Sequence, residues 1–254
     1  MAPACGKAAM PTVHVAVVLD FMCPWSFIGM RSLRLARERF SDRLAFAPVA
    51  FTPFEFDPPG TYPAEGTDWT DYCRGYGEAK AKFLLEDKLP RAFALGRDVG
   101  IDFKLERRIV DTMDVNTALV VAQEHGVAEE FVEQTLSGHF ERLENPNEPS
   151  ALRARLEALA GSPAVASLKA ALASPEKGAR NAARTAAARR KLTGGVPHFE
   201  VRCGGAEGAD LCLAAPGGPT SAGYFEALFK RCASAAAGGA GVGAEACEAS
   251  AADP

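Results

Sequence analysis

The sequence lacks any Cys-x-x-Cys pair, and its four histidines do not occur at the spacing of zinc ligands. These absences argue against a structural metal site, and we expect no metal ion in the protein. The seven cysteines are too widely spread for a disulfide scaffold; they are Cys5, Cys23, Cys73, Cys203, Cys212, Cys232 and Cys247. Their odd number favours a reducing compartment, although Cys203 and Cys212 are placed to face each other across a hairpin.

The chain also lacks a long apolar run and a large excess of charge of one sign. Its formal net charge of −4 over 254 residues is too near zero to indicate binding to nucleic acid or to an anionic membrane surface. The segment before Val13 contains one lysine and no continuous apolar stretch, so we expect neither a signal peptide nor a transmembrane span. We therefore expect a cytoplasmic protein. Its hydrophobic content of 48% suffices for a sizeable core.

The spacing of apolar residues predicts strands and helices in a definite order. The predicted elements are a strand at Val13–Phe21, an amphipathic helix at Phe27–Phe40, a strand at Arg43–Phe51, a helical block at Asp68–Leu172, an Ala/Arg-rich helix at Ser174–Leu192, strands at Pro197–Cys203 and Asp210–Ala214, and a helix at Ser221–Cys232. Three prolines exclude a helix at Thr52–Gly60.

Without the helical block, this order is that of a thioredoxin-type βαβ-α-ββα unit. The predicted fold class is therefore α/β, a thioredoxin-like fold with an inserted α-helical subdomain. We expect the thioredoxin-like domain at residues 12–60 and 176–232, and the helical insertion at residues 61–175. The Ala/Gly/Ser/Glu composition of residues 233–254 predicts a disordered tail.

Cys23 is the strongest candidate for a chemically reactive residue. It lies between the first strand and the first helix, in the sequence Cys23-Pro24-Trp25-Ser26. A helix N-terminus favours negative charge, so we expect the Cys23 thiol to ionise below its ordinary pKa. The carboxyl end of a strand in an open α/β sheet is also where such folds place their sites.

Four segments resemble the DsbA-like thioredoxin-fold family, in its cytosolic branch with the polyketide-associated oxidoreductases and the 2-hydroxychromene-2-carboxylate isomerases. Asp20–Gly29 is similar to its D-x-x-C-P-W-C-x-x-G active site, and Phe54–Pro58 to its F-E-L-N-P segment. Thr112–Gly126 resembles the T-L-D-A start of an insertion helix, and Gly194–Phe199 the G-V-P-x-F loop with a cis proline. The resemblance extends over about residues 12–232.

The chain departs from this family pattern at the second cysteine of the active site, where it has Ser26. Asp111 and Asn116 correspond to a frequent asparagine and histidine of the family, and Pro216–Ser221 replaces a short S-G-A-Q segment. An alcohol is a far poorer nucleophile toward sulfur than a thiol, so Ser26 is unable to resolve a mixed disulfide. Ser26 is either a hydrogen-bond donor to the Cys23 thiolate or the remnant of a lost activity.

The resemblance therefore implies a thiol–disulfide oxidoreductase of monothiol type, with Cys23 and Ser26 as catalytic residues. We expect glutathione as a co-substrate, no tightly bound cofactor, and a substrate that is a disulfide-containing protein or a small-molecule thiol. The residues expected to bind substrate or glutathione are Pro24, Trp25, Val196 and Pro197.

Two other functions remain open at the level of sequence. The first is a kappa-type glutathione transferase or a 2-hydroxychromene-2-carboxylate isomerase, enzymes that resemble this chain but hold glutathione with a serine where Cys23 stands. The second is a redox-inactive peptide-binding protein. We expect no partnership with nucleic acid or membrane, and the sequence leaves open whether the protein forms a homodimer.

Overall fold

The computed structural model describes residues 10–58, 60–192, 194–204, 211–215 and 221–236. Its strands are β1 (Thr12–Leu19), β2 (Ala45–Phe46), β3 (Ala50–Pro53), β4 (Thr67–Asp68), β5 (Arg108–Ile109), β6 (His198–Gly204) and β7 (Leu211–Ala215). Its helices are α1 (Pro24–Phe40), α2 (Trp69–Arg74), α3 (Glu78–Lys82), α4 (Leu89–Asp98), α5 (Met113–Glu124), α6 (Ala128–Arg142), α7 (Pro149–Ala173), α8 (Lys177–Lys191) and α9 (Ala222–Ala236). A π-helical turn at Phe83–Lys88 joins α3 to α4.

Strand β1 is the centre of the main sheet. Both β2 and β3 pair with it in parallel, β6 pairs with its other edge in antiparallel orientation, and β7 forms a hairpin with β6. Helix α1 packs against α9 beside this sheet, with the Phe40 and Phe229 rings 5.8 Å apart, and α5 and α8 pack against β3. The α/β thioredoxin-like fold with a helical insertion is confirmed.

Three elements differ from the sequence-based prediction. The single strand predicted at Arg43–Phe51 is divided into β2 and β3, because Pro48 has no N–H to donate and the Val49 N–H bonds instead to Glu129 Oε1 at 3.0 Å. The helical block contains the short antiparallel pair β4–β5, which was not predicted. Helix α9 continues to Ala236, four residues past its predicted end at Cys232.

Other predictions about the organisation of the chain are not decided by these elements. The division into domains at residues 61 and 175 stays a prediction. Residues 233–236 of the tail predicted as disordered belong to α9, which corrects that boundary, and residues 237–254 lie outside the described residues. Cys5, Cys247 and residues 216–220 also lie outside them. None of the helices in the described ranges is both long and apolar enough to cross a bilayer.

The partner of Cys203 is Cys232 of α9, with which it forms a disulfide at a Cα–Cα distance of 5.7 Å. The sequence left open whether Cys203 and Cys212 form a redox pair; Cys203 is instead bonded to Cys232, and the β6–β7 register places Leu211 opposite Cys203. The disulfide joins the sheet to α9 and closes a loop with a sequence separation of 29 residues. Disulfides are more typical of oxidising compartments than of the reducing compartment that the cysteine count favours.

Gly29 allows α1 to lie close to the start of β6. A Cβ atom at position 29 would be 2.9 Å from the Phe199 ring and 3.2 Å from Pro197 Cγ, closer than side chains pack in proteins. The approach positions the first turn of α1, and with it Cys23, beside the Val196–Pro197 peptide bond, which is cis. A glycine in a helix destabilises the fold by about 0.5–1 kcal/mol relative to alanine. At position 29 it leaves room for Phe199 and Pro197.

We predict that Gly29→Ala lowers the free energy of unfolding by about 1–2 kcal/mol, because overpacking exceeds the gain in helix propensity. Gly178→Ala in α8 is the matched control, since its Cβ would meet only Met113 Sδ at 3.9 Å. The control is expected to keep or slightly raise stability. Urea denaturation of both variants measures the difference, and equal stabilities would contradict the close packing of α1.

Candidate active site

Cys23 is the N-cap residue of α1, and Pro24 occupies the first helical position. Proline suits this position because its fixed φ matches the helix and its missing N–H has no intrahelical partner there. The Cys23 side chain is buried, with 8% of its surface exposed. Its thiol donates a hydrogen bond to the Val196 carbonyl oxygen at 3.4 Å. The first helix and the cis-proline loop therefore meet at this sulfur atom.

Ser26 lies one turn along α1 and is completely buried. Its hydroxyl oxygen accepts a hydrogen bond from the Asp20 backbone N–H at 3.3 Å. The Ser26 hydroxyl and the Cys23 thiol also interact in a way that favours the thiolate. Ser26 thus links the end of β1 to the sulfur, which is the arrangement expected of a hydrogen-bond donor to Cys23.

The pKa of the Cys23 thiol is shifted in the direction opposite to the one expected from the sequence. Burial, and secondarily the charge of Asp20, raise this pKa to about 11. Hydrogen bonds from Ser26 and Trp25 favour the thiolate, but these effects are smaller. The expected lowering was therefore wrong for the unliganded site, because a helix N-terminus stabilises a thiolate less than removal from water destabilises it.

Asp20 is a second buried ionisable group at the site, and it was not among the site residues predicted from the sequence. Its carboxylate accepts hydrogen bonds from the backbone N–H groups of Met22 at 2.6 Å and of Phe56 at 3.2 Å. Burial raises the pKa of Asp20 to about 7, and the nearby carboxylates of Glu55 and Asp57 contribute in the same direction. Asp20 therefore changes its protonation state near neutral pH, close to the reactive sulfur.

A cavity of about 280 Å³ opens beside Cys23. Cys23, Pro24 and Trp25 line it, whereas Ser26, Val196 and Pro197 do not. Its other walls come from the loop after β3, from α2 to α4, and from the segment around β5. Aromatic side chains are prominent among the lining residues, which include Trp25, Phe56, Tyr62, Trp69, Tyr72 and Tyr76.

The cavity is lined by both acidic and basic side chains. Asp20, Asp57 and Asp111 line it, as do Lys80 and Lys88 from the helical insertion. Asp111 also accepts hydrogen bonds from the backbone N–H groups of Gly60 and Met113, both at 2.8 Å. No cluster of His, Cys, Asp or Glu suited to binding a metal ion occurs among the described residues. The cavity thus provides an apolar interior with charged groups at several points of its wall.

Arg107 lies directly before β5 and is buried beside the site. Its Nη1 atom donates a hydrogen bond to the carbonyl oxygen of Met22, at 3.4 Å. The guanidinium group lies 3.9 Å from the centroid of the Trp69 ring. Burial lowers the pKa of Arg107 to about 10, and the negative forms of Cys23 and Cys73 oppose that shift. No motif in the sequence indicated this residue, because its position depends on tertiary packing alone.

The comparisons with known proteins agree with the fold. The family model described as DSBA-like thioredoxin domain matches residues 14–217. A probable DsbA oxidoreductase from Streptomyces coelicolor is similar with a TM-score of 0.65 at 22% identity, over 92% of this chain and 96% of that one. No curated protein sequence matches the chain.

Two other solved structures are similar at lower identity. A 2-hydroxychromene-2-carboxylate isomerase has a TM-score of 0.59 at 16% identity, over 89% of this chain and 98% of that one. A cytosolic disulfide reductase, DsbM from Pseudomonas aeruginosa with GSH, has a TM-score of 0.54 at 15% identity, over 86% of this chain and 98% of that one. The sequence-based resemblance to this branch is confirmed.

We predict that Asp20→Asn increases the rate of Cys23 alkylation about tenfold at pH 8, because it removes the negative charge that opposes the thiolate. The increase should disappear below about pH 7, where Asp20 in the wild type is protonated. The measurement is the rate of reaction with iodoacetamide between pH 6 and 9, followed by mass spectrometry. Asp111→Asn removes another carboxylate from the same cavity and should leave the rate unchanged. A rate in Asp20→Asn equal to that of the wild type at all pH values would contradict the assignment.

Proposed function

The chain belongs to the DSBA-like thioredoxin domain family, and from this premise we propose that it is a monothiol, glutathione-coupled thiol–disulfide oxidoreductase. The observation that carries the proposal is the position of Cys23. It stands at the junction of β1 and α1, on the wall of the cavity and within hydrogen-bonding distance of the cis-proline loop. Disulfide-oxidoreductase chemistry is consistent with the family and with several similar structures.

The monothiol character follows from the side chains near Cys23. Position 26 provides a hydroxyl in place of a second thiol, and Cys203 and Cys232 are joined to each other. Among the cysteines whose side chains the structure describes, the other free one is Cys73, which is buried in α2 and does not line the cavity. A mixed disulfide on Cys23 therefore requires an external thiol for its release.

The proposed reaction consists of two thiol–disulfide exchanges. The Cys23 thiolate attacks one sulfur of a substrate disulfide, a new S–S bond forms to Cys23, and the other substrate sulfur leaves as a thiolate that takes up a proton. A glutathione thiolate then attacks the substrate sulfur of the mixed disulfide. Cys23 leaves as a thiolate, and the substrate is released as a disulfide with glutathione, which a second glutathione reduces.

The binding of glutathione is supported by the groups that surround Cys23. Pro24 and Trp25 provide an apolar surface at the cavity wall, and Lys80 and Lys88 provide positive charge for carboxylates. The similar DsbM structure was determined with GSH. A cytoplasmic location belongs to the same proposal, since that relative is named as cytosolic and glutathione is abundant in reducing compartments.

A second candidate function is that of a glutathione transferase or a 2-hydroxychromene-2-carboxylate isomerase. The raised pKa of Cys23 favours this alternative, because a protonated thiol donates a hydrogen bond to a bound thiolate as a serine hydroxyl does. The aromatic cavity is also suited to a small aromatic electrophile. The alternative predicts that the wild type conjugates glutathione to a chlorodinitrobenzene-type reagent and that a Cys23→Ser variant, which keeps a hydrogen-bond donor, retains this activity.

We predict that Cys23→Ser abolishes the reduction of a glutathione mixed disulfide, because no other described thiol lines the cavity. Cys73→Ser is the matched control and should retain wild-type turnover, since Cys73, unlike Cys23, does not line the cavity. Ser26→Cys should add a resolving thiol, so that the Cys23–glutathione adduct no longer accumulates after treatment with glutathione disulfide. Full activity in Cys23→Ser, or the absence of any adduct on wild-type Cys23, would refute the proposed function.

A further inference from the structure

Arg107 is a buried charge without an acidic partner. Only 2% of its surface is exposed, and no carboxylate lies within ion-pair distance of it among the described residues. Nη1 donates to the Met22 carbonyl oxygen, and Nη2 has no hydrogen-bond partner in the described part of the molecule. An arginine buried without compensation destabilises a protein by several kcal/mol, so its presence calls for a specific reason.

Aromatic rings compensate this charge in part. The guanidinium group lies 3.9 Å from the Trp69 ring centroid and 5.1 Å from that of Phe140. A cation–π contact offsets only part of the cost of burying an arginine charge. Arg155, which is also buried, differs in this respect because it forms an ion pair with Glu144. Among the described residues, the charge of Arg107 is therefore only partly compensated.

The groups around Arg107 differ in their ability to carry a negative charge. Tyr72 shares its hydroxyl hydrogen bond with Tyr76, and burial raises the pKa of Tyr72 far above neutral. His139 is kept neutral, because burial and the charge of Arg107 lower its pKa to about 3. The charge of Arg107 also favours the thiolate of Cys73, but burial raises the pKa of Cys73 to about 11, and this thiol is fully buried and does not line the cavity. Cys23 is the neighbour that must carry a negative charge in the proposed reaction.

The backbone connects Arg107 to Cys23 directly. The carbonyl group that Arg107 holds belongs to Met22, the residue before Cys23, and both Met22 and Cys23 line the cavity. Asp20 carries the negative charge that opposes the thiolate. Cys23 is therefore influenced both by an acidic group that changes its protonation state near neutral pH and by a cation that remains charged.

We propose that Arg107 is the charge partner of Cys23, a positioning residue whose buried guanidinium stabilises the negative charge on the Cys23 sulfur. This inference rests on the proposed function, because the thiolate is the attacking group in the first exchange and the leaving group in the second. Arg107 acts on both steps without forming a bond to the substrate. Its Nη2 atom has no hydrogen-bond partner in the described part of the molecule, so the guanidinium is not committed to another group.

The test compares Arg107→Met with Arg107→Lys, which retains the charge. In Arg107→Met we expect Cys23 alkylation by iodoacetamide at pH 8 to be at least about tenfold slower than in the wild type, since an opposite charge lowers a thiol pKa by at least about one unit. The rate of alkylation by the anionic reagent iodoacetate should decrease by a larger factor, because iodoacetate also loses its attraction to the Arg107 guanidinium. Arg107→Lys should recover most of both rates. Arg155→Met is the matched control, a buried arginine away from the sulfur, and should react like the wild type.

Thermal unfolding verifies that each variant is folded when its rates are compared. A folded Arg107→Met protein with wild-type rates and a wild-type pH profile would overturn the inference while leaving the proposed function intact. Absence of a glutathione adduct on Cys23 of the wild type would refute the proposed function itself.

If Arg107→Met does not fold, the ratio of iodoacetate to iodoacetamide rates is measured in Asp20→Asn, where the opposing charge is removed. A ratio above that of free glutathione supports the charge partner, and a ratio equal to or below it overturns the inference.

Discussion

Burial of charge around a single sulfur atom is the constraint on which this site depends. Asp20, Cys23 and Arg107 are all nearly inaccessible to water. Burial therefore shifts the pKa of each group toward its neutral form, although Arg107 stays charged at neutral pH. The site can hold a thiolate only if the charges of the neighbouring groups are adjusted at the same time. The chemistry of Cys23 is consequently a property of the group and not of the cysteine alone.

A high thiol pKa affects disulfide exchange in opposing ways. The thiolate is scarce at neutral pH and is a poorer leaving group, both of which slow exchange, but it is intrinsically more nucleophilic when it forms. Protonation of Asp20 removes the repulsion that acts on Cys23, and Asp20 changes its protonation state near pH 7. The charge on Asp20 therefore influences the fraction of Cys23 that is ionised near neutral pH. A cysteine without such a neighbour would respond only to its own pKa.

The sequence predicted those features that depend on local signals. The junction of β1 and α1 at Cys23 follows from the change from strand to helical periodicity, although α1 begins at Pro24 and not at the predicted Phe27. The order of elements follows from similar changes along the chain. Features that depend on distant residues were missed. The Cys203–Cys232 disulfide joins two elements 29 residues apart, and the break before β3 depends on Glu129 of α6.

The pKa of Cys23 shows the same limit of sequence reasoning most clearly. A helix N-terminus is visible in the sequence, and it correctly indicates where the sulfur lies. The extent of burial is not visible there, because it is produced by the cavity walls and by the cis-proline loop packed on the thiol. The sign of the net shift is set by the larger effect, which is the loss of water.

The helical insertion builds the site as much as the thioredoxin-like part of the chain does. The thioredoxin-like part places Cys23 at the end of β1, but Trp69, Arg107 and Phe140 come from the segment between the two halves of that fold. The same segment supplies most of the aromatic wall of the cavity. The aromatic lining of the space beside Cys23 is therefore provided largely by this insertion. Under the proposed function, a partly open cavity of about 280 Å³ has room for a small thiol or disulfide, or for a single side chain of a protein substrate, next to the sulfur.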